Sequence, residues 1–271
     1  MADVSIAVVY PDLLGTYGDG GNARVLAQRL RWRGIGADIV TVPLGTALPD
    51  SCDIYVLGGG EDGPQSLAAD ELRREGALVR AAERGAAVLA VCAGLQVIGS
   101  AFRGSEGIRD GVGLVDAHTT GALDVRAVGE LVVEPATHLG LPRLSGYENH
   151  AGITTLGPGV DPFGQVVGGV GNGTTPAFDG FVSGHVIGTY LHGPALARNP
   201  ELADLVLGWV VGTLPALEAG IDDDAHELRA ERFAAVESGS AQTSATAAST
   251  ARSSSPSGLV RRARNAVRRV R

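Results

Sequence analysis

Hydrophobic and polar positions follow two regimes along this chain. In the first hundred residues, short unbroken apolar runs alternate with longer segments whose apolar residues recur every three or four positions. Residues 4–10, 37–44, 52–57 and 86–91 are runs of the first kind and predict strands, the last buried on both faces of a parallel sheet. Residues 22–34 place Val25, Leu26 and Leu30 on one helical face, with Asn22 able to cap the start and Gly34 at the end. A second helix is predicted over residues 64–84, closed by Gly85. Directly after the strand that runs into Cys92, Leu95, Val97, Ile98 and Phe102 have the spacing of a short third helix. Strands and helices in this order make an open α/β sheet, with the functional loops at the carboxyl ends of its strands.

The regime changes after Gly104. Short strands are predicted over residues 112–117, 123–133, 164–170 and 181–191, with turns such as Gly171-Asn172-Gly173 between them. This half reads as antiparallel or mixed and packs back on the first. Helices over residues 199–213 (apolar) and 222–237 (charged) complete the ordered pattern. The fold class is therefore α/β: an open, mostly parallel sheet flanked by helices, with an additional antiparallel portion. Residues 238–258 are almost entirely Ser, Ala, Thr, Gly and Pro, the composition of a flexible linker. Residues 259–271 mix six arginines with Leu259, Val260, Ala263, Val267 and Val270. Three readings of that arginine-rich tail stay open: a solvated tail, a weak contact with an anionic membrane surface, or a clamp on the acidic body.

Charge sharpens the picture. All 22 basic residues are arginine, and seven of them follow residue 251, where no acid occurs. The first 251 residues hold 15 arginines against 30 acids, a balance of −15 that argues against nucleic acid as a partner. No apolar run is long enough to cross a bilayer and no basic segment opens the chain, so a cytoplasmic location is expected. Cys52 and Cys92 sit on separate apolar runs and are expected to be free thiols. No metal site is expected, because neither a Cys-x-x-Cys nor a His-x-x-x-His pair occurs. The absence of lysine rules out a phosphate-binding Gly-Lys-Ser/Thr loop.

Cys92 is the residue around which a chemistry can be built. A strand running straight into a helix needs a tight turn, and the small residues Ala90, Ala93 and Gly94 leave room for one. A thiol at such an elbow faces a helix N-terminus that favours thiolate and can hold an oxyanion. The competing reading is a buried cysteine that merely fills space. Gly58-Gly59-Gly60 ends the preceding strand, where its backbone can approach a substrate. His192 ends the apolar strand before Gly193-Pro194 and is the preferred proton acceptor, with His150 in Gly146-Tyr147-Glu148-Asn149-His150-Ala151-Gly152 as its rival. Gln96, four residues after Cys92, shares its helical face.

These segments resemble a class I (triad-type) glutamine amidotransferase. The Leu191-His192-Gly193-Pro194 context and the Gly146–Gly152 segment are similar to the cobyric acid synthase-like branch. The opening Tyr10-Pro11-Asp12-Leu13-Leu14-Gly15-Thr16-Tyr17-Gly18-Asp19-Gly20-Gly21-Asn22 narrows the resemblance to the GatD subunits of lipid II isoglutaminyl synthase, which work with a Mur ligase-like MurT subunit. The resemblance covers residues 4 to 213. It implies an amidotransferase domain over 1–213, followed by a helical extension (214–237), the linker and the tail.

The resemblance also implies roles. Cys92 would attack the side-chain amide of glutamine, His192 would move the proton, and N–H groups near Gly59, Gly60 and Ala93 would hold the oxyanion. Gln96 would orient the substrate, and Arg126 would bind the glutamine α-carboxylate. No cofactor is implied for this chain; ATP and Mg belong to the partner ligase, which would amidate the D-glutamate α-carboxylate of the peptidoglycan stem peptide. The usual triad glutamate, two residues after the histidine, is replaced by Pro194. Something else must then orient His192, or it works as a dyad; the resemblance suggests an acid from the partner subunit. Two alternatives are a glutaminase for corrinoid (cobyric acid-type) amidation and a non-catalytic regulatory subunit of the same fold.

Overall fold

The computed structural model describes residues 4–239; residues 240–271, which include the arginine-rich tail and nearly all of the predicted linker, lie outside the described residues. The chain begins with β1 (Val4–Val9), α1 (Gly21–Trp32), β2 (Ala37–Val42) and β3 (Ile54–Leu57), followed by α2 (Asp62–Glu75), α3 (Ala77–Glu83), β4 (Ala87–Val91) and α4 (Ala93–Ile98). The second half contains β5 (Ala101–Gly104), β6 (Gly107–Asp110), β7 (Ala117–Pro135), β8 (Leu144–Leu156), β9 (Gly164–Gly168), β10 (Phe178–Asp179), β11 (Phe181–Ser183) and β12 (Val186–Thr189). Three helices close the described chain: α5 (Ala195–Arg198), α6 (Pro200–Val211) and α7 (Asp223–Glu237). None of the described helices is long and apolar enough to cross a membrane.

One sheet has the order β11-β12-β4-β3-β1-β2, parallel throughout except for β11, which pairs antiparallel with β12 at the edge. All five residues of β4 are fully buried, as a strand covered on both faces must be. The other sheet runs β10-β9-β7-β5-β6, with β8 along β7, and is antiparallel apart from the β5–β7 pair. The predicted mixture of a mostly parallel sheet and an antiparallel portion is what the chain forms.

Several boundaries differ from the sequence reading, each for a local reason. The helix expected over 64–84 starts at Asp62 and breaks at Gly76, whose left-handed conformation (φ 62°) ends α2 and opens α3. Phe102, expected on the helix after Cys92, lies instead on β5, which forms a hairpin with β6. Residues 112–117 are largely irregular, with only Ala117 belonging to a strand. The run 181–191 is split into the hairpin β11–β12. The longest omission is β8, whose Glu148, Asn149 and His150 disguise a strand as a polar loop.

α1 and α6 are tied by charge as well as by apolar packing. Arg29, only 3% exposed, donates from Nε and Nη2 to Asp204 on α6 at 2.8 and 2.7 Å, and from Nη1 to Asp222 at 2.6 Å. Removing one member of a buried ion pair leaves its partners short of compensating charge, although Asp204 keeps Arg33 at 2.7 Å. Arg29→Ala should destabilise the fold by about 3 kcal/mol, the low end for such a loss because both aspartates keep some solvent; a fall in the urea midpoint at unchanged m-value checks this.

Candidate active site

Four loops meet at one sheet edge because β1, β3, β4 and β12 are parallel neighbours and their carboxyl ends point the same way. Beyond those ends stand, in order, Asp19, Gly58-Gly59-Gly60, Cys92 and His192. Cys92 is the N-cap of α4 with φ 53° and ψ −106°, a conformation rare for a non-glycine residue. The elbow is pinned from both sides. The Cys92 N–H donates to the Thr189 carbonyl at 2.9 Å, and the Gly94 N–H donates to the Gly58 carbonyl at 3.1 Å. Such pinning is what keeps a strained residue in place.

His192 is held by the other sheet. Its N–H donates to the Tyr147 carbonyl at 2.7 Å, and the Tyr147 N–H donates back to the His192 carbonyl at 3.2 Å. Just upstream, the buried Asp179 accepts from the Thr189 hydroxyl at 2.5 Å and the Tyr190 N–H at 3.0 Å, fixing the end of β12. Burial pushes the Asp179 carboxyl up to about 7 despite those bonds.

The imidazole is oriented from within this chain. His192 Nδ1 lies 2.9 Å from Asp19 Oδ2, and both side chains are buried. The sequence reading looked to a dyad or to a partner's acid in place of the glutamate replaced by Pro194; within this chain it is Asp19 that meets the imidazole. The same Asp19 oxygen accepts the Gly59 N–H at 2.9 Å. Gly59 is thus not an oxyanion donor: its N–H is committed to the carboxylate. Its lack of a side chain matters instead, because a Cβ there would sit 2.6 Å from His192 Cε1. Tyr17 covers the imidazole, ring centroids 4.8 Å apart.

A cleft of about 370 Å³ opens over the thiol and is lined by Gly60, Cys92, Ala93, Gln96, Arg126 and Asn149, among others. Arg126 donates from Nε to Asn149 Oδ1 at 2.5 Å and from Nη2 to the Asn149 carbonyl at 3.0 Å. The Gln96 amide is engaged on both ends, accepting from Gln65 Nε2 at 2.8 Å and donating to the Tyr190 hydroxyl at 3.1 Å. It is part of a buried polar floor that continues through Thr154 and Thr119 at 2.8 Å each. His150 also lines the cleft, stacked on Tyr190 at 3.8 Å with Nε2 3.3 Å from Glu148. It is thereby bound into that floor.

The sequence reading missed Asp19, Asn149 and Tyr17 as site residues. A signal was present for Asp19: an acid amid glycines beyond the end of a predicted parallel strand. For Asn149 none was, since its position depends on a strand of the second sheet.

Charge on the pair follows from these contacts. Burial opposes a positive His192, but its interactions with Cys92 and Asp19 outweigh it and push its pKa up to about 10. A folded-state value above the unfolded one means that this stabilisation is complete below about pH 6.5 and is lost as pH rises through about 10. Following the His192 Cε1–H resonance by NMR should show imidazolium across neutral pH. In Asp19→Asn the midpoint should move down; an unmoved midpoint would remove Asp19 from the account.

Comparison with known proteins agrees with this geometry. The CobB/CobQ-like glutamine amidotransferase domain matches residues 5–200. The chain is 34% identical over 210 residues to the GatD subunit of the glutamine-hydrolysing lipid II isoglutaminyl synthase of Staphylococcus aureus, covering 76% of this chain and 84% of the relative. The GatD subunit of Streptococcus pneumoniae is 32% identical over 203 residues, 74% of this chain and 77% of the relative. A cobyric acid synthase of Sphingopyxis alaskensis is 32% identical over 199 residues, 70% of this chain but 38% of that protein. The chain belongs to the CobB/CobQ-like glutamine amidotransferase domain family, and it is an enzyme of that type.

Proposed function

We propose that this chain is the glutaminase subunit of a lipid II isoglutaminyl synthase. The observation that carries the reading is the match to GatD subunits along most of their length, joined to a thiol, an imidazole and a carboxylate at one sheet edge. The corrinoid alternative draws on relatives of which the match takes in only 38%.

In this reading Cys92 and His192 work as thiolate and imidazolium. The sulfur attacks the side-chain carbonyl carbon of glutamine, and the resulting oxyanion meets the N–H groups of Gly60 and Ala93, both of which line the cleft. His192 Nε2 gives its proton to the leaving nitrogen, so the C–N bond breaks as ammonia departs and a γ-glutamyl thioester remains on Cys92. Water then attacks the thioester, His192 takes its proton, and glutamate leaves as the thiolate re-forms. Asp19 holds the imidazole throughout with Nδ1 protonated, the orienting role of a third triad member. Arg126 meets the substrate α-carboxylate, and Gln96 acts through the floor of the cleft. Ammonia passes to a Mur ligase-like MurT partner in a heterodimer. That partner would carry ATP and Mg and amidate the D-glutamate α-carboxylate of the stem peptide.

The test is the purified complex with lipid II. Cys92→Ala should abolish glutamine-dependent amidation while amidation driven by added ammonia continues at the wild-type rate. Undiminished glutamine-dependent amidation would instead make this chain a non-catalytic subunit, and co-purification with a corrinoid enzyme would overturn the acceptor.

A further inference from the structure

Arg126 stands on backbone that the sheet does not hold. The β7–β8 ladder runs in register from Ala127 opposite His150 to Val133 opposite Leu144, and resumes at Ala122 opposite Gly152. Residues 123–126 bulge out opposite the single residue Ala151. A bulge of this kind re-aims a side chain at the cost of the ladder that would have fixed it. An arginine side chain also has much rotamer freedom to lose before it can present a fork to a carboxylate.

Asn149 supplies what the bulge removes. It lies in the regular part of the ladder, opposite Val128. Its side-chain oxygen takes Arg126 Nε at 2.5 Å and its main-chain carbonyl takes Arg126 Nη2 at 3.0 Å, so one residue grips one whole edge of the guanidinium. The same carbonyl is 3.9 Å from the Cys92 sulfur. Its amide nitrogen donates to the Tyr17 hydroxyl at 3.4 Å, and Tyr17 lies against His192. The arginine, the thiol and the aromatic cover of the imidazole thus share one reference point.

We propose that Asn149 is a positioning residue for substrate recognition: it sets the Arg126 guanidinium at a fixed place relative to the Cys92 thiol, so that binding of the amino-acid end of glutamine depends on it. The inference rests on the glutaminase reading above. Asn149 does not act on the scissile amide, so its loss falls on KM rather than on kcat.

Two thiol reagents separate these effects. 6-Diazo-5-oxo-L-norleucine carries the α-carboxylate of glutamine; the Cys92 thiolate takes its protonated diazo carbon, dinitrogen leaves, and a thioether remains. Iodoacetamide alkylates the same sulfur, releasing iodide, but has no carboxylate. With the whole chain and intact-mass detection, Asn149→Ala should slow labelling by the glutamine analogue by about tenfold, the scale of one hydrogen bond to a charged group. Iodoacetamide labelling should be unchanged, and KM for glutamine should rise about as much at constant kcat. Asn149→Ser, which stays polar but cannot reach Arg126 Nε, should give the same loss and covers the case in which the alanine variant folds poorly. The double variant Asn149→Ala/Arg126→Ala should be no slower than Arg126→Ala alone, because both changes remove one interaction. Equal labelling of wild type and both Asn149 variants, a parallel loss with iodoacetamide, or additive effects in the double variant would each overturn the proposal. Failure of the analogue to label wild-type Cys92 while iodoacetamide does so would overturn the glutaminase reading itself.

Discussion

One carboxylate oxygen holds this active site together. Asp19 Oδ2 accepts from His192 Nδ1 and from the Gly59 N–H, both at 2.9 Å, and so joins the loops after β1, β3 and β12 at a single point. A buried carboxylate is costly unless charge and hydrogen bonds meet it; here the imidazole and a backbone N–H meet Oδ2, while Oδ1 is buried without a hydrogen-bond partner among the described residues. The bond also selects the tautomer: with Nδ1 protonated, Nε2 is the nitrogen that can exchange a proton with sulfur. The glycine at position 59 belongs to this arrangement because any side chain there would displace the imidazole.

The second sheet is a structural part of the same site. β8 bridges to His192 through Tyr147, lays Asn149 over the thiol and carries His150 into the polar floor beneath the cleft. Charge and position therefore come from different layers. The parallel sheet presents the reactive groups at its strand ends, and the antiparallel sheet fixes where they and the bound substrate stand. A substitution on β8 can consequently alter recognition without touching the parallel sheet.

Much of this was legible in the chain before any coordinates. Unbroken apolar runs identify the parallel strands, and the strand-to-helix elbow identifies Cys92, because both depend on neighbours in sequence. His192 could be read from its place at a strand end. What could not be read depends on distant neighbours. Asp19 reaches His192 across 173 residues, so nothing near Pro194 at the usual acid position pointed to it. Gly59 looked like an oxyanion donor because its commitment to Asp19 appears only in three dimensions. β8 escaped notice because Glu148 and His150, which satisfy one another in the interior, look like loop residues when met singly. The helical break at Gly76 was a local signal that the apolar periodicity on either side overrode.

The central claim is that Cys92 carries the acyl group of glutamine during turnover. Acid-quenching the complex with isotopically labelled glutamine, then mapping the digested peptides by mass spectrometry, tests it most directly. The account predicts a labelled glutamyl thioester on the Cys92 peptide, sensitive to hydroxylamine and absent from Cys92→Ala. Label on Cys52, or glutamine turnover with no acyl-enzyme on Cys92 at any quench time, would contradict it.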